Sequence, residues 1–137
     1  MLVVDASVTL SWLFERETGA ERRRSVSALD WLETDTAVVP ALWQTEVLNA
    51  LLVGERRKLI KPAQSAEYLA RLDLLPIAVD SASPSARRDA VLGLGRQHEL
   101  TAYDATYLDL AIRSGGPLAT FDRQLVKAAG AVGVEVI

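Results

Sequence analysis

The sequence predicts an α/β fold with a central, mostly parallel five-stranded sheet flanked on both faces by helices. Three observations predict it. Short apolar runs alternate with longer segments of helical periodicity, the order that builds a parallel sheet with helical crossovers. The first run, Leu2-Val3-Val4, is apolar throughout, as a strand buried on both faces must be. Turn formers punctuate the junctions at Pro40, Pro62, Gly115-Gly116-Pro117 and Gly130. The 137 residues, 50% of them hydrophobic, read as a single domain over 1–137 able to bury a core without staples. No internal repeat, low-complexity segment or linker interrupts it.

Taken in order, Leu2–Val4 is the first strand, and Asp5 precedes a short helix that Ser7 and Val8 begin. Ala37–Val39 is the second strand. The clearest helix runs from Ala41 to Lys58, with Pro40 at its start and Lys61-Pro62 marking its end. Its periodicity groups Leu48, Leu51, Leu52 and Glu55 on one face and Glu46, Asn49, Ala50 and Val53 on another. Pro62–Leu74 is helical, Ile77–Val79 the third strand, and Pro84–Gln97 and Thr101–Ser114 are further helices. Pro117–Ala119 is the fourth strand, Asp122–Ala129 a helix, and Val134–Val136 the fifth strand. The first strand is expected at the sheet centre. Ligands of such sheets bind beyond the strand C-termini.

Composition narrows the chemistry. There is no cysteine, so disulfides, thiolate metal sites and cysteine nucleophiles are excluded. No basic, long apolar leader opens the sequence and no apolar run is long enough for a bilayer, so a cytoplasmic setting without membrane contact is expected. Fifteen basic and 18 acidic residues give a net charge of -3. Binding of nucleic acid would therefore rely on local patches such as Arg22-Arg23-Arg24, Arg56-Arg57-Lys58 and Arg87-Arg88, each of which also reads as a solvated helix face. No GxxxxGK[ST], GxGxxG or GxSxG loop is present, which removes the usual phosphate cradles and the serine elbow.

Four acidic residues stand apart. Asp5 follows the first strand and Asp122 the fourth; Asp104 opens a helix, and Glu46 lies in the leucine- and tryptophan-rich helix. Each has an ordinary explanation. Asp5 and Asp122 fit helix caps, Asp104 fits a capping box with Thr101, and Glu46 fits a solvated face. Together they describe one pocket. If the first and fourth strands are neighbours, their ends lie about 4.8 Å apart, close enough for two carboxylates to share a cation. Thr120 and Ser7 then orient carboxylates from behind, and Asn49 accompanies Glu46 one turn on. An all-oxygen set favours Mg²⁺ or Mn²⁺ over zinc. Asp104 is expected to stay ionised because a helix N-terminus favours negative charge. Asp80, about two strand spacings away, is left out. Glu15, Glu17, Asp30, Asp73, Asp89 and Asp109 read as surface residues, His98 as a loop or capping residue, and Trp12, Trp31 and Trp43 as core or interface.

The stretches Val-Val-Asp5-Ala-Ser7, Glu46-Val-Leu-Asn49-Ala-Leu, Tyr103-Asp104-Ala-Thr-Tyr107-Leu and Leu118-Ala-Thr120-Phe-Asp122-Arg-Gln-Leu, with the closing Gly133-Val-Glu-Val, resemble the PIN-domain nucleases. The likeness is to the VapC-type toxins of type II toxin–antitoxin pairs and spans nearly the whole chain. It implies a PIN-like three-layer fold and a metal-dependent endoribonuclease acting on tRNA, rRNA or mRNA. It further implies a homodimer held inactive by a small cognate antitoxin. By carry-over, Asp5, Glu46, Asp104 and Asp122 are the catalytic residues and hold one or two Mg²⁺ or Mn²⁺ ions, with Ser7, Asn49 and Thr120 behind them. Such a pocket invites an arginine or lysine inserted by the antitoxin. Two alternatives stand beside this reading: a housekeeping RNA-processing nuclease of the same fold, and a non-catalytic acidic interaction domain. A phospho-acceptor receiver would need a lysine at a late strand end, and Lys58, Lys61 and Lys127 are not placed there.

Overall fold

A computed structural model describes residues 1–14 and 18–137. Its sheet holds four parallel strands in the order β3-β2-β1-β4: β1 Leu2–Val4, β2 Ala37–Val39, β3 Ile77–Val79 and β4 Leu118–Ala119. Helices make every crossover. α1 (Ala6–Ser11) and α2 (Gly19–Trp31) join β1 to β2, and α3 (Leu42–Arg56) and α4 (Pro62–Leu72) join β2 to β3. α5 (Pro84–His98) and α6 (Ala102–Ser114) lead to β4, and α7 (Arg123–Ala131) follows it. All three residues of β1 have zero exposure, which requires cover on both faces of the sheet centre.

The expected fifth strand is reduced to one parallel bridge, Leu118 to Val136. β4 is only two residues long and offers little edge to extend. α2, by contrast, was given no bounds from sequence and was anticipated only in the solvated face of Arg22-Arg23-Arg24. It buries only Ser25 and Ala28, small residues that leave no apolar stripe in the sequence. The buried face of α3 draws on neither of the two groupings alone. Trp43, Val47, Leu51 and Gly54 point inward, while Leu48 and Leu52 are exposed. Gly54 sets that choice, because a β-carbon there would lie 3.0 Å from Phe14 and 3.3 Å from Ile60.

Two features position the sheet's working edge. β1 and β4 pair in register, Val3 opposite Leu118 and Val4 opposite Ala119, so Asp5 and Thr120 leave the sheet side by side. The amide of Asp5 donates to the carbonyl of Ala119 at 2.9 Å. Gly116 permits this approach at the other end, where an added β-carbon would sit 1.8 Å from the Met1 carbonyl oxygen. Among the described residues, no helix is long and apolar enough to cross a membrane.

α5 is unusual in having no buried residue. It rests on α6 through a buried carboxylate. Arg87 donates two hydrogen bonds to Asp109, at 2.9 and 2.7 Å, and Arg113 adds one at 3.1 Å. Asp109 is therefore not the surface residue its position suggested, being only 3% exposed. Arg113 also grips Asp80 at 2.7 Å, at the end of β3 two strand positions from β1. Asp30, Asp73 and Asp89 are exposed as expected, while Glu15 and Glu17 lie outside the described residues.

Candidate active site

Asp5 is the best-held of the four carboxylates. It ends β1, is 6% exposed, and its Oδ2 accepts hydrogen bonds from Ser7 Oγ at 2.8 Å and Thr120 Oγ1 at 2.7 Å. Both hydroxyls are themselves fixed by backbone amides beyond β4. Phe121 N donates to Ser7 Oγ and Asp122 N to Thr120 Oγ1. Each hydroxyl thus receives one proton and gives one, which orients both donors toward Asp5. Asp5 precedes α1 without a side-chain capping bond, and the nearby Ala6 and Ser7 amides also favour its ionised form. Burial still wins over these bonds, and the Asp5 pKa is raised.

The other three lie on α3, at the start of α6 and at the start of α7. Asp122 caps α7, its Oδ1 accepting from the amide of Leu125 at 2.8 Å. Asp104 sits in the first turn of α6, where the Thr101 hydroxyl accepts from its amide at 3.1 Å. The reciprocal half of the expected capping box, carboxylate to the Thr101 amide, does not form among the described hydrogen bonds. Glu46, half-buried on α3, accepts from the Tyr107 hydroxyl at 2.7 Å.

Like charges act between some of these carboxylates. Burial, then the charges of Asp122 and Asp5, push Asp104 up to about 6. Burial likewise raises Glu46, and Asp5 and Asp104 add to the rise against the lowering hydrogen bond from Tyr107. Desolvation and two like charges thus raise Asp104 although it sits near a helix N-terminus, where negative charge is favoured.

Several expectations shift. Asn49 is exposed and makes no hydrogen bond among the described residues, because three residues beyond Glu46 it has turned about 60° further from the core. The Arg22-Arg23-Arg24 run splits: Arg22 and Arg23 are exposed, whereas Arg24 reaches inward to backbone carbonyls. Arg87 is committed to Asp109, while Arg56, Arg57, Lys58 and Arg88 are exposed. His98 ends α5 instead of lying in the connection, and its buried Nε2 has no partner. Trp43 is buried and donates to Thr9, and Trp12 donates to the Ser25 carbonyl. Tyr107, fully buried behind Glu46, was missed as a site residue, although its spacing of three from Asp104 puts both on one helix face.

Residues 2–131 match the family PIN domain. The chain belongs to the PIN-domain family. Within it, this PIN domain is of the VapC type. It is 33% identical over 127 residues to Ribonuclease VapC3 of Pyrobaculum aerophilum, covering 92% of each chain. It is 32% identical over 129 residues to Ribonuclease VapC1 of Mycobacterium tuberculosis, covering 93% of this chain and 90% of the relative. Two solved structures share its fold. FitAcB from Neisseria gonorrhoeae superposes with a TM-score of 0.66 at 18% identity, covering 100% of this chain and 96% of the other. PAE2754 from Pyrobaculum aerophilum gives 0.65 at 24% identity, covering 93% and 83%.

The donor set of this PIN domain fits a hard divalent cation. It offers carboxylate oxygens without thiolate or a nearby imidazole pair, and a dication would relieve the repulsion that raises Asp104 and Glu46. Among the described residues no three acidic or histidine side chains form a ready metal-holding group. Mg²⁺ does not require one, since it binds through one or two carboxylates and retains several waters.

Proposed function

We propose that this VapC-type PIN domain is an endoribonuclease that hydrolyses RNA phosphodiester bonds at the Asp5 pocket, with Mg²⁺ or Mn²⁺ held by Asp5, Glu46, Asp104 and Asp122. The observation that carries the reading is the held carboxylate Asp5, cradled by two hydroxyls beside three further acids whose charges act on one another. The VapC ribonuclease relatives support the substrate class.

A bound divalent ion would supply Lewis-acid stabilisation of the phosphate and acidify a water. The chain's own residues do the rest. Ser7 and Thr120 hold Asp5 in one orientation, and Tyr107 does the same for Glu46. Asp104, at the start of α6, would serve as a ligand to the ion, whose charge would favour its ionised form. Hydrolysis of this kind leaves a 5′-phosphate and a 3′-hydroxyl. A small cognate antitoxin fits the same pocket by inserting an arginine or lysine among the carboxylates. A homodimer belongs to the same reading.

The test is cleavage of tRNA, rRNA and mRNA with Mg²⁺, Mn²⁺ or chelator, using Asp5→Asn and Asp104→Asn as comparisons. Loss of cleavage in both variants and in chelator is expected. Cleavage unchanged in both variants would place the chemistry elsewhere.

A further inference from the structure

β4 ends at Ala119, yet the three residues after it carry much of the pocket. Thr120 donates to Asp5, Phe121 donates to Ser7, and Asp122 caps α7 beside Asp104. Beyond the sheet, this segment is clasped by a side chain from α2. Arg24 donates through Nη2 to the Thr120 carbonyl and through Nε to the Ile137 carbonyl at 3.3 Å. Its guanidinium lies 5.2 Å from the centre of the Phe121 ring.

We infer that Arg24 is a positioning residue for the acidic pocket, fixing the Thr120–Asp122 segment so that its hydroxyl and amides hold Asp5; the inference rests on reading this pocket as the nuclease centre. Arg24 does not act as a counter-ion there. The groups that displace Asp5, Glu46 and Asp104 do not include it. Its influence runs through the backbone carbonyl of Thr120, whose side chain faces Asp5. A planar fork suits the task, serving two carbonyls while lying over a ring, whereas a lysine ammonium has no fork to share between them.

The experiment compares wild type with Arg24→Met, which keeps the apolar stem, and Arg24→Lys. Amide hydrogen exchange is read without metal, and Mn²⁺ affinity by calorimetry. The amides of Phe121 and Asp122 are expected to exchange about tenfold faster in Arg24→Met. The amide of Leu100, bonded to Gly95 at the far end of α5, is expected to be unchanged. Mn²⁺ affinity should fall by about 10- to 100-fold in Arg24→Met, with partial recovery in Arg24→Lys. Equal acceleration at Leu100, or exchange and affinity within twofold of wild type, would overturn the inference. If wild type itself binds no Mn²⁺, the metal reading fails, and the exchange of Phe121 and Asp122 still decides the role of Arg24.

Discussion

Replacing Asp104 by Asn should make the metal-free protein more stable at neutral pH, although it removes a carboxylate central to the proposed chemistry. Burial and the neighbouring Asp122 and Asp5 raise Asp104 from 3.8 to about 6. A carboxylate with a raised folded pKa favours folding at low pH. Its stabilising proton is fully held below 3.8 and is lost as pH rises through about 6, so the cost is complete at neutral pH. The displacement of about two pKa units corresponds to about 3 kcal/mol at most. Asp104 is only half-buried, and solvent screening reduces this to about 1 kcal/mol. For a chain of this length that is a rise of about 4 °C in Tm. Thermal melts with chelator at about pH 7.5 and pH 4.5 measure it, and the gain should shrink to about a third at the lower pH. Added Mn²⁺ should stabilise wild type more than the variant, reversing the order. An Asp104→Asn protein no more stable than wild type at neutral pH, or equally favoured at both pH values, would refute the argument that crowded negative charge strains this pocket.

Other outcomes follow from the same geometry. Thr120→Val keeps the shape but leaves Asp5 and the Asp122 amide short of a partner; it should cost about 1–3 kcal/mol in urea denaturation and about 10- to 100-fold in Mn²⁺ affinity. Tyr107→Phe removes the hydrogen bond that lowers Glu46, so the Glu46 carboxyl should titrate still higher by carbon-detected NMR. Gly116→Ala forces a β-carbon into the Met1 carbonyl and should destabilise by about 1–3 kcal/mol, read as a lower urea midpoint. Burial alone would raise Asp109, but hydrogen bonds from Arg87 and Arg113 outweigh it and hold the carboxyl low. Its stabilisation is therefore present above the ordinary value of 3.8 and lost as pH falls through the lower folded value. Asp109→Asn should loosen α5, seen as faster amide exchange along that helix with α3 unaffected.

The parallel sheet was legible because short apolar runs have few other uses, and the all-apolar Leu2-Val3-Val4 marked the central strand. The adjacency of β1 and β4 could only be assumed from sequence, because strand order leaves no local signal; the paired register places Asp5 beside Thr120. Asp5 and Asp122 were legible as a strand end and a helix start, whereas Asp104 and Glu46 were singled out chiefly through the family resemblance. What escaped were interactions between distant elements. Asp109 looks like any charged helical residue until Arg87, on another helix, is brought beneath it. Arg24 is indistinguishable from Arg22 and Arg23 in a run of three, and only the inward turn at Ser25 and Ala28 separates it. On α3 leucines outnumber the positions that the core accepts, so periodicity alone does not pick out the buried face, and Gly54 lies at the contact with Phe14 and Ile60.

Asp122 both starts a helix and lines the pocket, and these two jobs depend on different properties of one side chain. The cap needs an oxygen acceptor, which an amide supplies as well as a carboxylate does. The pocket needs negative charge. Asp122→Asn thus separates shape from reactivity at a single position, giving a chain with its surface intact. On the reading proposed above, such a protein would keep its fold and lose metal affinity and cleavage together.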